Sequence, residues 1–166
     1  MGFIVALMLT YMDEESAFWM VHCLMNKYEM HGYYTLNFPE LQKSFYILLR
    51  LIKKHIPKIY DIFKTKEVVP SMYASQWFIT LFAVNFRFDI LVRVFDVYLL
   101  EGQKILYRIA LAVLKINEEK ILSKKGFDEV LVIMKYLFNN ITADDLFLKA
   151  FKFSISRDHI TVGFIS

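Results

Sequence analysis

The residues able to carry chemistry are few, and their spacing argues against most of it. His22 and Cys23 are adjacent, but neighbouring residues on a helix point about 100° apart and make no nucleophile–base pair by themselves. His22, His31, His55 and His159 are scattered, and none joins a Cys/His/Asp cluster with metal-ligand spacing. No metal and no cofactor are expected. Glu14-Glu15 and Asp144-Asp145 stand where helices should begin, and carboxylates there suit the helix dipole. No Gly-rich loop exists to cradle a phosphate, which argues against a nucleotide-hydrolysing core. Asn140-Ile141-Thr142 fits the glycosylation sequon, but Thr142 with Asp145 has the look of a helix cap. Arg93 and Asp96 lie three apart on one helical stretch, and that spacing predicts a structural ion pair. The residues alone define no catalytic site.

Elements must hold these residues, and composition bounds what the elements are. The 166 residues suit one domain; 57% are hydrophobic and 17% aromatic, with only five Gly and three Pro. That excludes disordered, collagen-like and linker-like chains. One cysteine permits no internal disulfide, and a reducing compartment is the natural reading. Twenty basic residues against 17 acidic give a net charge of +3, with no sign of a nucleic-acid partner. The longest uncharged run, Val68 to Phe86, has nineteen residues. Pro70, two serines, Gln76 and Asn85 interrupt it, and its helical part of about 20 Å is too short to span a bilayer. No transmembrane segment is expected.

The periodicity is helical almost throughout, predicting an all-α chain of eight or nine helices. Asp13 is placed as an N-cap, Pro39 and Pro57 as first-turn prolines, and Gly102 as a left-handed helix terminator. Met72 to Val84 reads as one buried core helix capped by Ser71. Gln103 to Ile116 reads as another strongly apolar helix. Only the tail, Asp158 to Ser166, alternates in a way that suggests a strand.

The run from Pro70 to Ala83, PSMYASQWFITLFA, resembles the signature helix of TBC domains, the GTPase-activating domains that act on Rab-family small GTPases. Downstream, Arg93-Val94-Phe95-Asp96, Leu100-Glu101-Gly102 and Ile109-Ala110-Leu111 match the family's Arg-x-aromatic-Asp helix, Glu-Gly turn and following helix. Upstream, Met1-Gly2-Phe3-Ile4 through Glu14-Glu15-Ser16-Ala17-Phe18-Trp19 resembles the stretch just after the family's Tyr-x-Gln-Gly element. The resemblance covers nearly all of residues 1–166 but only the C-terminal part of the family domain. It implies an all-helical fold, a GTP-bound Rab-family GTPase as partner, and a role in vesicle traffic. A cytoplasmic location with peripheral association on endomembranes goes with that role. Lys53-Lys54 and Lys124-Lys125 are the lysine pairs able to meet an acidic membrane surface.

Members of this family supply an arginine from Ile-x-x-Asp-x-x-Arg and a glutamine from Tyr-x-Gln to the bound GTPase. The arginine neutralises charge developing on the transferred phosphoryl, worth roughly 10³–10⁵ in rate, and the glutamine orients the attacking water. Neither motif occurs in residues 1–166, since Tyr73-Ala74-Ser75-Gln76 is one residue too long. The resemblance therefore assigns no catalytic residue here and implies inactivity of this chain alone. The alternative is a non-catalytic helical interaction module. Tyr73, Gln76 and Trp77 are the candidate GTPase contacts. A part-domain of this composition is also expected to expose a large apolar patch around Met1–Met12 and to self-associate or need a complementary segment.

Overall fold

The computed structural model describes residues 1–160, and among these there is no strand. The helices are α1 (Gly2–Leu9), α2 (Glu14–Asn26), α3 (Pro39–His55), α4 (Pro57–Thr65), α5 (Ser75–Ile79) and α6 (Phe88–Glu101). They continue as α7 (Lys104–Ile116), α8 (Glu118–Leu122), α9 (Phe127–Lys135), α10 (Ala143–Ala150) and α11 (Arg157–Ile160). Single 3-10 turns cover Met30–Tyr33 and Pro70–Met72. Eleven helices among the described residues exceed the expected eight or nine, and α11 falls where no helix is expected. Of the tail read as a strand, residues up to Ile160 are helical. Residues 161–166 lie outside the described residues.

Helix α7 is the pillar of the fold. Every residue from Ile105 to Leu114 except Arg108 is buried, as a helix apolar on almost all sides must be. It packs against α3, α5, α6 and α10. Ala110 and Ala150 are wholly buried, and their small side chains let α7 and α10 approach closely. A polar knot lies between α3 and α7. The Tyr33 hydroxyl is 2.7 Å from Ser44 Oγ, and Tyr107 donates to the same oxygen at 3.3 Å. Burial pushes both phenols up from their ordinary range.

Most of the local signals hold, but Ser71 caps no helix, and Gly102 departs from the left-handed helical conformation expected of it. Asp13 caps α2 by accepting from the Ser16 N–H at 2.9 Å, which holds its carboxyl below the usual carboxylate range. Thr142 Oγ1 accepts from the Asp145 N–H at the start of α10. Pro39 and Pro57 open α3 and α4. At Gly102 the backbone takes φ 69°, ψ −150°, an extended mirror conformation open essentially to glycine alone.

The expected core helix over Met72–Val84 is where the structure differs. It is a 3-10 turn at Pro70–Met72, the five-residue α5, and a series of turns to Asn85. The break follows a helix-terminating pattern. Phe82 N–H donates to Trp77 C=O at 2.9 Å and Leu81 N–H to Phe78 C=O at 3.3 Å, with Leu81 left-handed at φ 52°. This is the Schellman arrangement, completed by the packing of its first and last side chains. Trp77 and Phe82 stack with ring centroids 5.8 Å apart. A leucine stands where glycine is usual and Phe82 follows at φ 63°, and the aromatic cluster of Trp77, Phe82, Phe86 and Phe138 offsets roughly 1–2 kcal/mol of left-handed strain at each.

Candidate functional site

Because α5 ends after little more than one turn, its polar side faces solvent at the mouth of a groove. The groove has a volume of about 660 Å³ and runs between the Met72–Gln76 segment, Asn85 and the outer side of α9, where Asp128, Val132 and Lys135 form the far wall. Ser75 Oγ bonds Ser71 C=O at 2.9 Å, and Thr80 Oγ1 bonds Gln76 C=O at 2.7 Å. These two bonds fix both ends of the short helix and leave the Gln76 side chain exposed.

The three candidate contacts separate here. Gln76 is exposed on the groove rim. Tyr73 forms the floor: its ring lies 5.5 Å from Phe63 and 5.1 Å from Trp77. Its hydroxyl is buried with no hydrogen-bond partner among the described residues, and burial drives the phenol far above its ordinary range. The Asn85 side-chain oxygen is likewise buried and unpaired. Trp77, the third candidate, is core, as its mostly apolar helix favours. Only 1% of it is exposed, because the Schellman turn folds Phe82 back over its ring. It supports the groove from behind and does not present itself to a partner.

The expected Arg93–Asp96 pair does not form. Arg93 reaches across to α10, where its guanidinium meets Asp144 at 3.0 Å and lies 5.1 Å from the centroid of the Phe147 ring. An intrahelical pair with the cation N-terminal to the anion is the less favourable order, and Asp144 with an aromatic face beside it offers more. Both partners are exposed, so the bridge adds little to stability. Asp96 is exposed and makes no ion pair among the described residues. It stands beside a pocket of about 310 Å³ walled by Leu7, Met8, Tyr11, Met20 and Phe95.

The best-held ion pair is one the spacing did not announce. Arg108 is mostly buried and bonds both oxygens of Glu101, which closes α6. Its Nε donates to Phe153 C=O at 3.2 Å. The signal available was a Glu just before the glycine turn and an Arg two turns into the next helix. Among the described residues, no three His, Cys, Asp or Glu side chains come together to hold a metal ion, and no helix is long and apolar enough to cross a membrane.

The all-helical fold agrees with comparison to known proteins. The Rab-GTPase-TBC domain family matches residues 1–122, from α1 through α8. The crystal structure of the Chlamydomonas flagellar RabGAP TBC domain superposes with a TM-score of 0.75 at 31% identity, covering 90% of this chain and 50% of that one. Mouse TBC1 domain family member 4 is 30% identical over 94% of this chain, which spans 12% of that protein. The yeast GTPase-activating protein GYP5 is 34% identical over 84% of this chain, spanning 16% of that protein. The chain belongs to the Rab-GTPase-TBC domain family. It spans only a small fraction of the length of these curated relatives.

Proposed function

We propose that this chain works within a Rab GTPase-activating domain, recognising a GTP-bound Rab at the groove rimmed by Gln76, while the arginine and glutamine fingers come from a part of the domain outside residues 1–166. The supporting observation is the match to a solved TBC domain over 90% of this chain but only 50% of that one. In this reading the two fingers belong to the half of that chain left uncovered. A surface that binds the GTPase without fingers contributes binding common to ground and transition states, which does not raise the rate of hydrolysis. In this reading Gln76 makes the direct contact, Tyr73 shapes the floor, and Trp77 holds the floor in place. Residues 1–166 then form one C-terminal part of the domain, acting in vesicle traffic from the cytoplasmic side of endomembranes.

The test is titration of the chain with Rab proteins loaded with a non-hydrolysable GTP analogue or with GDP. At least one Rab is expected to bind in the GTP form, with affinity falling about tenfold, or roughly 1.4 kcal/mol, on Gln76→Lys. Binding unchanged by Gln76→Lys would move the contact away from this groove. A complete lack of binding across the panel would favour the interaction-module reading, to which the absence of both finger motifs also lends weight.

A further inference from the structure

Helices α1 and α2 present an apolar surface with a distinctive electrical border. Phe3 and Leu9 of α1, Tyr11 after it, and Phe18 and Trp19 of α2 are all exposed, Phe18 at 63% and Trp19 at 58%. Tyr11 stacks on Phe88 at 5.9 Å, extending the surface toward α6. Beside it lies the pocket of about 310 Å³, lined by apolar side chains and one carboxylate, Asp96. Monomeric proteins seldom leave such a cluster uncovered.

The side chains of α1 and α2 give this surface an acidic border. Residues 1–26 contain Asp13, Glu14 and Glu15 and no lysine or arginine. Glu14, Glu15 and Asp96 make no ion pair among the described residues. The neighbouring cations are already engaged: Arg87 binds Asp89 at 2.8 Å, and Arg93 binds Asp144. The chain as a whole is nevertheless positive, at +3, with Lys53, Lys54, Lys58, Lys64 and Lys66 gathered on α3, α4 and the residue after α4. An apolar face with an acidic rim suits a helix that is apolar on one side and basic on the other. It repels an anionic bilayer.

We infer that the α1–α2 face and its pocket receive a basic amphipathic helix from the remainder of the TBC domain, with an apolar residue seated between Leu7, Met20 and Phe95 and a Lys or Arg meeting Asp96. This rests on the reading that the chain acts within a larger domain. The carboxylate sets the register, since among the described residues it is the one charged group on the pocket wall.

Trp19 reports on the face directly, because the other tryptophan, Trp77, is buried and provides a constant background. The chain is titrated with an 18-residue Leu/Lys amphipathic helix and with its Leu/Glu counterpart, following Trp19 emission and peptide anisotropy. The basic peptide is expected to bind at least tenfold more tightly and to shift Trp19 emission to the blue. Asp96→Asn is expected to weaken it about threefold and Asp96→Lys at least tenfold, with circular dichroism unchanged because Asp96 is exposed. Equal affinity for the two peptides, or binding that survives Asp96→Lys, overturns the proposal. So does the same Trp19 shift with phosphatidylserine vesicles, or a concentration-dependent shift without peptide, which would assign the face to a membrane or to a second copy. The Rab titration with Gln76→Lys reads a different surface, so either reading can fail alone.

Discussion

Arg108 and Glu101 are joined across the Gly102 turn by two hydrogen bonds from one guanidinium nitrogen, at 2.9 and 2.7 Å. The pair clamps the end of α6 to the second turn of α7, and the Phe153 carbonyl receives the Nε proton of the same arginine. Hydrogen bonds to charged groups are worth about 1.5–3 kcal/mol where water is limited. Arg108→Ala is expected to cost about 2 kcal/mol in urea unfolding, and Glu101→Ala somewhat less because Glu101 is the more exposed partner. By contrast, Asp96→Ala and Asp144→Ala should each stay within about 0.5 kcal/mol, as for other exposed positions. A large loss at Asp96 would restore the intrahelical pair that the spacing suggested.

Gly102 gives a cleaner backbone test. A Cβ added there meets no atom of the described residues within 4 Å, so the loss is expected from the dihedral angles alone. Gly102→Ala is expected to destabilise by about 1–3 kcal/mol, read as a lower urea midpoint at unchanged slope.

Two left-handed helix ends should respond to glycine in opposite ways. Glu67 has φ 56° and an exposed side chain at the end of α4, in the same hydrogen-bonding pattern as Leu81. Glu67→Gly relieves backbone strain and removes no packing, and is expected to stabilise by about 0.5–1 kcal/mol. Leu81→Gly relieves the same strain but empties a buried site, 1% exposed. It is expected to destabilise by about 2 kcal/mol or more. Thermal melts of the two variants check the opposite signs.

The two phenols differ in the same instructive way. The Tyr73 hydroxyl is buried and unpaired, whereas that of Tyr33 is bonded to Ser44 at 2.7 Å. Tyr73→Phe removes an unsatisfied group and should be neutral or stabilising by up to about 1 kcal/mol, while Tyr33→Phe should cost about 1 kcal/mol. Chemical denaturation of both variants distinguishes them.

What was legible in the sequence was what depends on near neighbours. The caps at Asp13 and Thr142 and the first-turn prolines are written within a few residues of where they act. The break after Thr80 was not, because its marker is normally glycine and here the left-handed residue is Leu81, held by aromatic packing that includes Phe138 from after α9. Arg93 chose Asp144, fifty-one residues away, over Asp96 at three, a choice made by the approach of α10. The groove was half legible: Tyr73 and Gln76 could be singled out from the signature run, but its far wall belongs to α9. The burial of Trp77 was legible from its apolar neighbours, though not the turn that brings Phe82 over its ring. The apolar face of α1 was legible from composition, because twelve uncharged residues leave no polar side to turn outward.

The central claim is that residues 1–166 carry Rab recognition without the groups that accelerate hydrolysis. Single-turnover phosphate release from a panel of GTP-loaded Rabs, with this chain titrated from substoichiometric to excess, tests it most directly. The expected result is a hydrolysis rate indistinguishable from that of each Rab alone, including any Rab that the chain binds. Acceleration at substoichiometric chain would contradict the account, and would mean that Gln76 or one of the chain's own arginines serves as a finger.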